Sequence, residues 1–267
     1  MSVRPAFRFL EHDGVLAFAH RGGALEAPEN TMAAFQYAAG LGYRYLETDV
    51  YATRDGVLLA FHDDRLDRVT DRKGLIERLD YAQVREARIG GGEPIPLLAD
   101  VLSSFPDARF NIDPKHDRAV GPLIAVLRDL AASDRVCVGS FSDQRIEIIR
   151  RSFDGRICTS LGPRGVLWLK AAAMGLPTPM LHAGCVQVPV RTRGIALVTP
   201  PLIAVARRLQ LQVHVWTIDD ADEMAALLDL GVHGLMTDRP SVLKRVLMER
   251  GQWLSGGPLA GGPPLAA

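Results

Sequence analysis

The chain has no surplus of charge of either sign. Lys plus Arg and Asp plus Glu each number 31, so no whole-protein field draws it to nucleic acid or to an anionic membrane surface. Any recognition of phosphate must therefore be local. Cysteine is scarce too: Cys137, Cys158 and Cys185 are far apart in the sequence, sit in apolar strand-like runs and show no C-x-x-C spacing. That excludes a disulfide framework or a zinc-finger pattern and points to buried, reduced thiols in a reducing compartment. Long apolar runs are missing as well. The first residues, MSVRPAFRFLEHDG, hold no signal-peptide core, and no later stretch reaches the ~20 apolar residues of a membrane helix. The expectation is a soluble, cytoplasmic protein without stable membrane insertion.

What is present is ample apolar material in a regular order. With 267 residues and 48% hydrophobic composition, the chain can build one large core. Eight short strand-like runs start at Val15, Tyr45, Ala108, Arg135, Arg156, Cys185, Gln212 and Gly234. Amphipathic stretches separate them, such as TMAAFQYAAG, AVGPLIAVLRDLAAS, PLIAVARRLQ and DDADEMAALLDLG. Gly40 and Gly231 fall at expected C-caps and Asp220 at an expected N-cap. Eight βα units in about 250 residues predict a TIM (β/α)8 barrel, with a doubly wound open sheet as the competitor. One domain spans 1–250, with an insertion at about 63–93 after the second strand. The Gly/Pro-rich end, 251–267, reads as a disordered tail.

The segment ETDVYATRDGVLLAFHDD, residues 47–64, carries the first chemistry. Strand periodicity places Glu47 and Asp49 on one face, about 6.6 Å apart. At an effective dielectric near 20 they repel by about 2.5 kcal/mol, so they need a cation, a proton or basic neighbours. The Asp55-Gly56 turn reverses the chain and returns His62 towards the carboxylates. Strand one ends in His20-Arg21 and strand three in Asp113-Pro114-Lys115. In a barrel all strand C-termini open on one face, so His20, Arg21, Glu47, Asp49, Asp113 and Lys115 would meet there with His62.

Taken singly, each residue has a structural reading: a hydrogen-bonded histidine at a strand end, a solvated acidic edge, a surface ion pair. Their common placement at the ends of separate strands favours a site. Three carboxylates without a nearby cysteine suit Mg²⁺ or Ca²⁺ better than zinc. Arg21 and Lys115 would complement a phosphate, and His20 and His62 could serve as general base and general acid.

The motifs AHRGG (19–23), PENTMAAF (28–35), YLETDVYATRDGVLLAFHDDRLDRVT (45–70), VHVWTIDD (213–220) and GVHGLMTDRP (231–240) resemble those of the glycerophosphodiester phosphodiesterase family. They occur in family order and cover nearly the whole chain. The resemblance implies a TIM barrel that hydrolyses glycerophosphodiesters to glycerol 3-phosphate and an alcohol at a divalent cation, Mg²⁺ or Ca²⁺. By the same resemblance Glu47, Asp49 and Asp113 are metal ligands and His20 and His62 the acid/base pair. Arg21 and Lys115 are phosphate contacts, Glu29 a neighbour orienting His20 or Arg21 or the ion, and Trp216 the aromatic at the glycerol end. Attack by the glycerol 2-hydroxyl through a cyclic phosphate and direct attack by water both stay open.

Three positions depart from the family pattern. Asp113 stands where Glu is usual, Ala99 replaces an acidic residue in IPLLAD, and His233 replaces an Asp, the last expected to be a surface effect. Two rival readings remain. One is a lysophospholipase D or phospholipase C-like relative, disfavoured because 63–93 offers no apolar lid for an acyl chain. The other is a silent phosphate-binding barrel, disfavoured because both histidines and all three carboxylates are kept. The partner expected is a small-molecule glycerophosphodiester. Head group, ion, oligomeric state and the split of acid and base roles stay open.

Overall fold

The computed structural model describes residues 7–254. Eight parallel strands form the centre: β1 Leu16–Ala19, β2 Tyr45–Ala52, β3 Arg109–Pro114, β4 Val136–Val138, β5 Cys158–Thr159, β6 Cys185–Val188, β7 Gln212–Val215 and β8 Gly234–Thr237. They pair in the order β5-β4-β3-β2-β1-β8-β7-β6. A parallel bridge between Ser160 and Cys185 joins the two ends, so the sheet closes into a barrel and the open-sheet alternative is excluded. The eight strand-like runs read from the sequence are these eight strands.

The helices that follow each strand are α1 Met32–Gly40, α2 Leu98–Ser104, α3 Val120–Asp129, α4 Asp143–Ser152, α5 Pro163–Ala173, α6 Pro200–Arg208, α7 Ala221–Leu230 and α8 Pro240–Glu249. The near-continuous apolar strands follow from burial on both faces. Outward residues such as Leu46, Val50, Phe110, Ile112, Val186 and Val213 pack against the helices in one core. Inward ones, including Leu16, Phe18, Tyr45 and Met236, form a second core inside the barrel. The turn Arg8–Leu10 plugs the N-terminal end, where Tyr45 Oη donates to the Phe9 carbonyl at 2.9 Å and Gln212 Nε2 to the Leu10 carbonyl at 3.2 Å.

Two caps can be compared with expectation. Asp220 caps α7 by accepting from the Glu223 amide, and Gly231 ends the same helix in the left-handed region at φ 89°. Gly40, expected to cap α1, is instead its last residue; Leu41 caps, and the left-handed turn falls on Gly42 at φ 96°. The reason is that only the residue leaving the helix needs positive φ, and Gly42 is where the chain turns towards β2.

The insertion after β2 begins with the expected hairpin, Leu58–Ala60 running antiparallel to Val50–Ala52. One helical turn at Tyr81–Val84 and a two-residue ribbon pairing Arg88–Ile89 with Glu93–Pro94 complete it. Its own small core includes Leu59, Phe61, Leu66, Ile76 and Ile89. At the other end, residues 251–254 are not part of a loose tail. Gln252 and Trp253 donate to the Leu247 carbonyl, and Trp253 packs edge-on against Tyr43. The remainder of the expected tail, 255–267, lies outside the described residues.

Candidate active site

Pleating sends alternate residues of β2 into the barrel, so Glu47 and Asp49 both point inward, only 4% and 1% exposed. Parallel register sets Asp49 beside Asp113 and Glu47 beside Asn111. The turn after β1 wraps over them with three successive left-handed residues, Arg21, Gly22 and Gly23 at φ 52°, 82° and 104°. That turn aims the Arg21 amide at Glu47 Oε2, 3.0 Å away, and lays Arg21 Nε 3.0 Å from Asp49 Oδ2. The Arg21–Asp49 contact is an ion pair without hydrogen-bond alignment. The hairpin brings His62 to the same mouth. One cavity of about 790 Å³ is lined by His20, Arg21, Glu47, Asp49, His62, Asp113, Lys115 and Trp216, among others.

Eight of the nine site residues read from the sequence thus share one cleft. The ninth, Glu29, stands behind it. Its carboxylate accepts from Arg21 Nη1 at 3.1 Å and from Arg68 at 2.7 and 2.8 Å. Glu29 orients Arg21 and does not itself line the cleft.

Both histidines are tied by a carboxylate at Nδ1. His20 Nδ1 lies 2.7 Å from Asp238 Oδ1, and His62 Nδ1 lies 2.5 Å from Asp63 Oδ1. His20 Nε2 lies 3.8 Å from Glu47 Oε2, and both rings line the cleft. Burial opposes protonation of His20, but Glu47 and Asp238 outweigh it and hold its pKa above the ordinary imidazole value. The sequence reading passed over Asp238. The available signal was its position directly after β8, where it ends a strand as His20 does.

The carboxylates divide by their neighbours. Burial pushes Glu47 up, and nearby Asp49 adds to it, giving about 7. Asp49 is equally buried, yet Lys115 and Arg21 hold it below the ordinary range. Burial raises Asp113 despite Lys115. Lys115 Nζ sits 2.7 Å from Asp49 Oδ1 and 2.8 Å from Asp113 Oδ2, bridging β2 and β3. Asn30, also passed over, donates to Asp49 Oδ2 at 3.4 Å and accepts from Thr48 Oγ1 at 2.8 Å.

The expected ligand trio is close but not drawn together. Among the described residues, Glu47, Asp49 and Asp113 do not form a set with all ligand atoms within 4.8 Å of one another. Lys115 occupies the space between two of them. The donors nevertheless fit a hard cation: all are carboxylate oxygens, and Asp113 Oδ1 is buried with no hydrogen-bond partner. Glu47 accepts its hydrogen bond from one backbone amide, that of Arg21.

Other expectations are settled by position. His233 is not at the surface; it is half-buried and its Nδ1 accepts from the Val213 amide at 3.1 Å, because it precedes β8 beside β7. His116, next to Lys115, is stacked on Tyr51 and lies 3.7 Å from Glu77. Ala99 lies in α2, away from the residues lining the cleft. Beyond the polar half, the cleft has an apolar wall from Phe141, Leu161, Val166, Leu167 and Ile195, with Trp216 edge-on to Phe141 at 5.8 Å.

Comparison with known proteins agrees with this arrangement. Residues 20–242 match the model of the Glycerophosphoryl diester phosphodiesterase family. A probable glycerophosphodiester phosphodiesterase 2 of Mycobacterium tuberculosis is 42% identical over 255 residues, covering 93% of this chain and 97% of that protein. The lysophospholipase D GDPD1 of Rattus norvegicus is 29% identical, covering 85% and 84%. Among solved structures, a putative glycerophosphoryl diester phosphodiesterase from Silicibacter pomeroyi superposes with a TM-score of 0.78 at 22% identity, covering 92% of this chain and 98% of that one. A phosphodiesterase from Oleispira antarctica, in complex with the product sn-glycerol-3-phosphate, superposes with a TM-score of 0.71 at 20% identity, covering 88% and 97%. With the family model spanning the barrel from the His20 turn to the start of α8, the chain belongs to the glycerophosphoryl diester phosphodiesterase family.

Proposed function

We propose that the chain hydrolyses glycerophosphodiesters to glycerol 3-phosphate and an alcohol, with His20 and His62 as the acid/base pair. One observation carries this reading: two carboxylate-tied histidines, three carboxylates and two cations line a single cavity at the C-terminal mouth of the barrel. Each Nδ1–H donated to Asp238 or Asp63 leaves Nε2 for the substrate, so one ring can take the proton of the attacking oxygen and the other can give one to the leaving alcohol. Arg21 and Lys115 hold the phosphoryl oxygens and stabilise charge that builds on them. Trp216 gives the glycerol end an aromatic wall.

Glu47, Asp49 and Asp113 would hold a divalent cation, Mg²⁺ or Ca²⁺, which when bound would neutralise phosphoryl charge and polarise the ester. The support is the orphaned Asp113 Oδ1 together with Glu47, a buried carboxylate that burial and Asp49 push up to about 7. Turnover of glycerophosphocholine is the test. Activity should vanish on thorough EDTA treatment and return with Mg²⁺ or Ca²⁺, and His20→Ala and His62→Ala should each lower kcat by roughly 10²-fold or more. Undiminished turnover without metal would remove the cation from the reaction, and two near-native histidine variants would remove the acid/base pair.

A second reading has its own observation. The insertion supplies no apolar lid, but the opposite rim does: Phe141 and Leu167 are 69% and 67% exposed beside the cleft. That wall suits an acyl chain, as in a lysophospholipase D. Lysophosphatidylcholine and glycerophosphocholine compared in one assay separate the two, and Leu167→Glu should depress only the acylated substrate.

A further inference from the structure

Three cysteines separated by 21 and 27 positions in the chain come together inside the barrel. Cys137 on β4, Cys158 on β5 and Cys185 on β6 all point inward, and all are buried. Among the described residues, they are the one set of three or more His, Cys, Asp or Glu side chains whose ligand atoms all lie within 4.8 Å of one another. Cys137 Sγ and Cys185 Sγ are 3.7 Å apart. Two sulfurs bound tetrahedrally to zinc at ~2.3 Å stand about 3.8 Å apart, whereas a disulfide needs about 2.05 Å. The sulfurs therefore already hold the spacing of ligands around one soft ion.

Their place in the fold gives such an ion a task. β2 and β3 share six registered pairs, but β5 is two residues long and meets β6 through the single bridge Ser160–Cys185. This is the seam where the barrel closes. We propose that Cys137, Cys158 and Cys185 bind one Zn²⁺ that ties β4, β5 and β6 together across that seam, a structural site separate from the carboxylate cleft. Binding forms three Zn–S bonds and releases the thiol protons to solvent. His214 on β7 adjoins Cys185, with its Nε2 3.1 Å from Gln212 Oε1 and its Nδ1 3.4 Å from Gln187 Nε2.

Cobalt is the direct probe. The full chain is unfolded in guanidinium under reducing, oxygen-free conditions and refolded with Co²⁺. A sulfur-to-cobalt charge-transfer band with d–d bands of tetrahedral strength is expected at about one cobalt per chain. Zn²⁺ should abolish the band, and excess Mg²⁺ or Ca²⁺ should not. No charge-transfer band in the refolded wild type, or a band of full strength in Cys158→Ala, would overturn the site. Because that variant can fail to fold, native wild-type protein grown with zinc is also dialysed against EDTA and its metal content measured. About one zinc per chain supports the proposal, and less than roughly a tenth overturns it.

Discussion

His20 Nδ1 meets Asp238 Oδ1 at 2.7 Å across 218 residues of sequence. The contact exists because β8 pairs directly with β1, register setting Ala19 beside Thr237, so the residues that follow the two strands emerge side by side. Asp238 is fixed in turn: its amide donates to Asp219 Oδ1 at 2.7 Å.

Asp238→Asn should therefore act on catalysis with little effect on folding. The amide keeps the shape but cannot support an imidazolium or enforce the same tautomer. A fall in kcat of roughly 10²-fold is expected, with KM and the melting temperature near those of the wild type. Steady-state kinetics beside a thermal melt checks it, and a native kcat would detach Asp238 from the reaction.

Lys115→Met tests the bridge between β2 and β3. It leaves Asp49 and Asp113, adjacent in register, facing each other without their shared cation. Removing one member of a buried ionic group costs about 3 kcal/mol. The loss should be read in urea denaturation at neutral pH and should shrink at low pH, where the carboxylates are protonated.

Gly22→Ala tests the turn that aims Arg21. A Cβ at φ 82° would stand 2.6 Å from Ala34 Cβ and 2.9 Å from the Ala34 carbonyl carbon. Backbone is in the way, so α1 or the turn must move, at roughly 2 kcal/mol or more. Lower stability with lower turnover is the expected pair of results; a variant as stable as the wild type would show that the turn is not fixed by this contact.

His233 predicts a pH effect on stability. Burial, reinforced by His214 and Arg207, lowers its pKa from 6.5 to about 4 in the folded chain. Between those values the unfolded chain binds a proton that the folded chain refuses, so stability falls as pH drops through this window and is fully present above it. Allowing for partial exposure, the loss is on the order of 2 kcal/mol. Denaturation midpoints from pH 7.5 to 4 should fall more steeply for wild type than for His233→Gln, and parallel curves would contradict the assignment.

The sequence by itself determined everything with a local period. Alternation in YLETDV decided that Glu47 and Asp49 face one way, the Asp55-Gly56 turn decided that His62 returns, and eight apolar runs decided the barrel. These follow from pleating, turn geometry and burial over a few residues, so a reader of the chain can recover them. Closure decided the rest. Which inward residues become neighbours depends on strand order and register around the ring, set by packing of the whole sheet against eight helices. Only that arrangement places Asp238 on His20, Lys115 between two carboxylates, and three scattered cysteines at one seam. Contacts between distant strands carry no sequence period, and the closed sheet alone makes them adjacent.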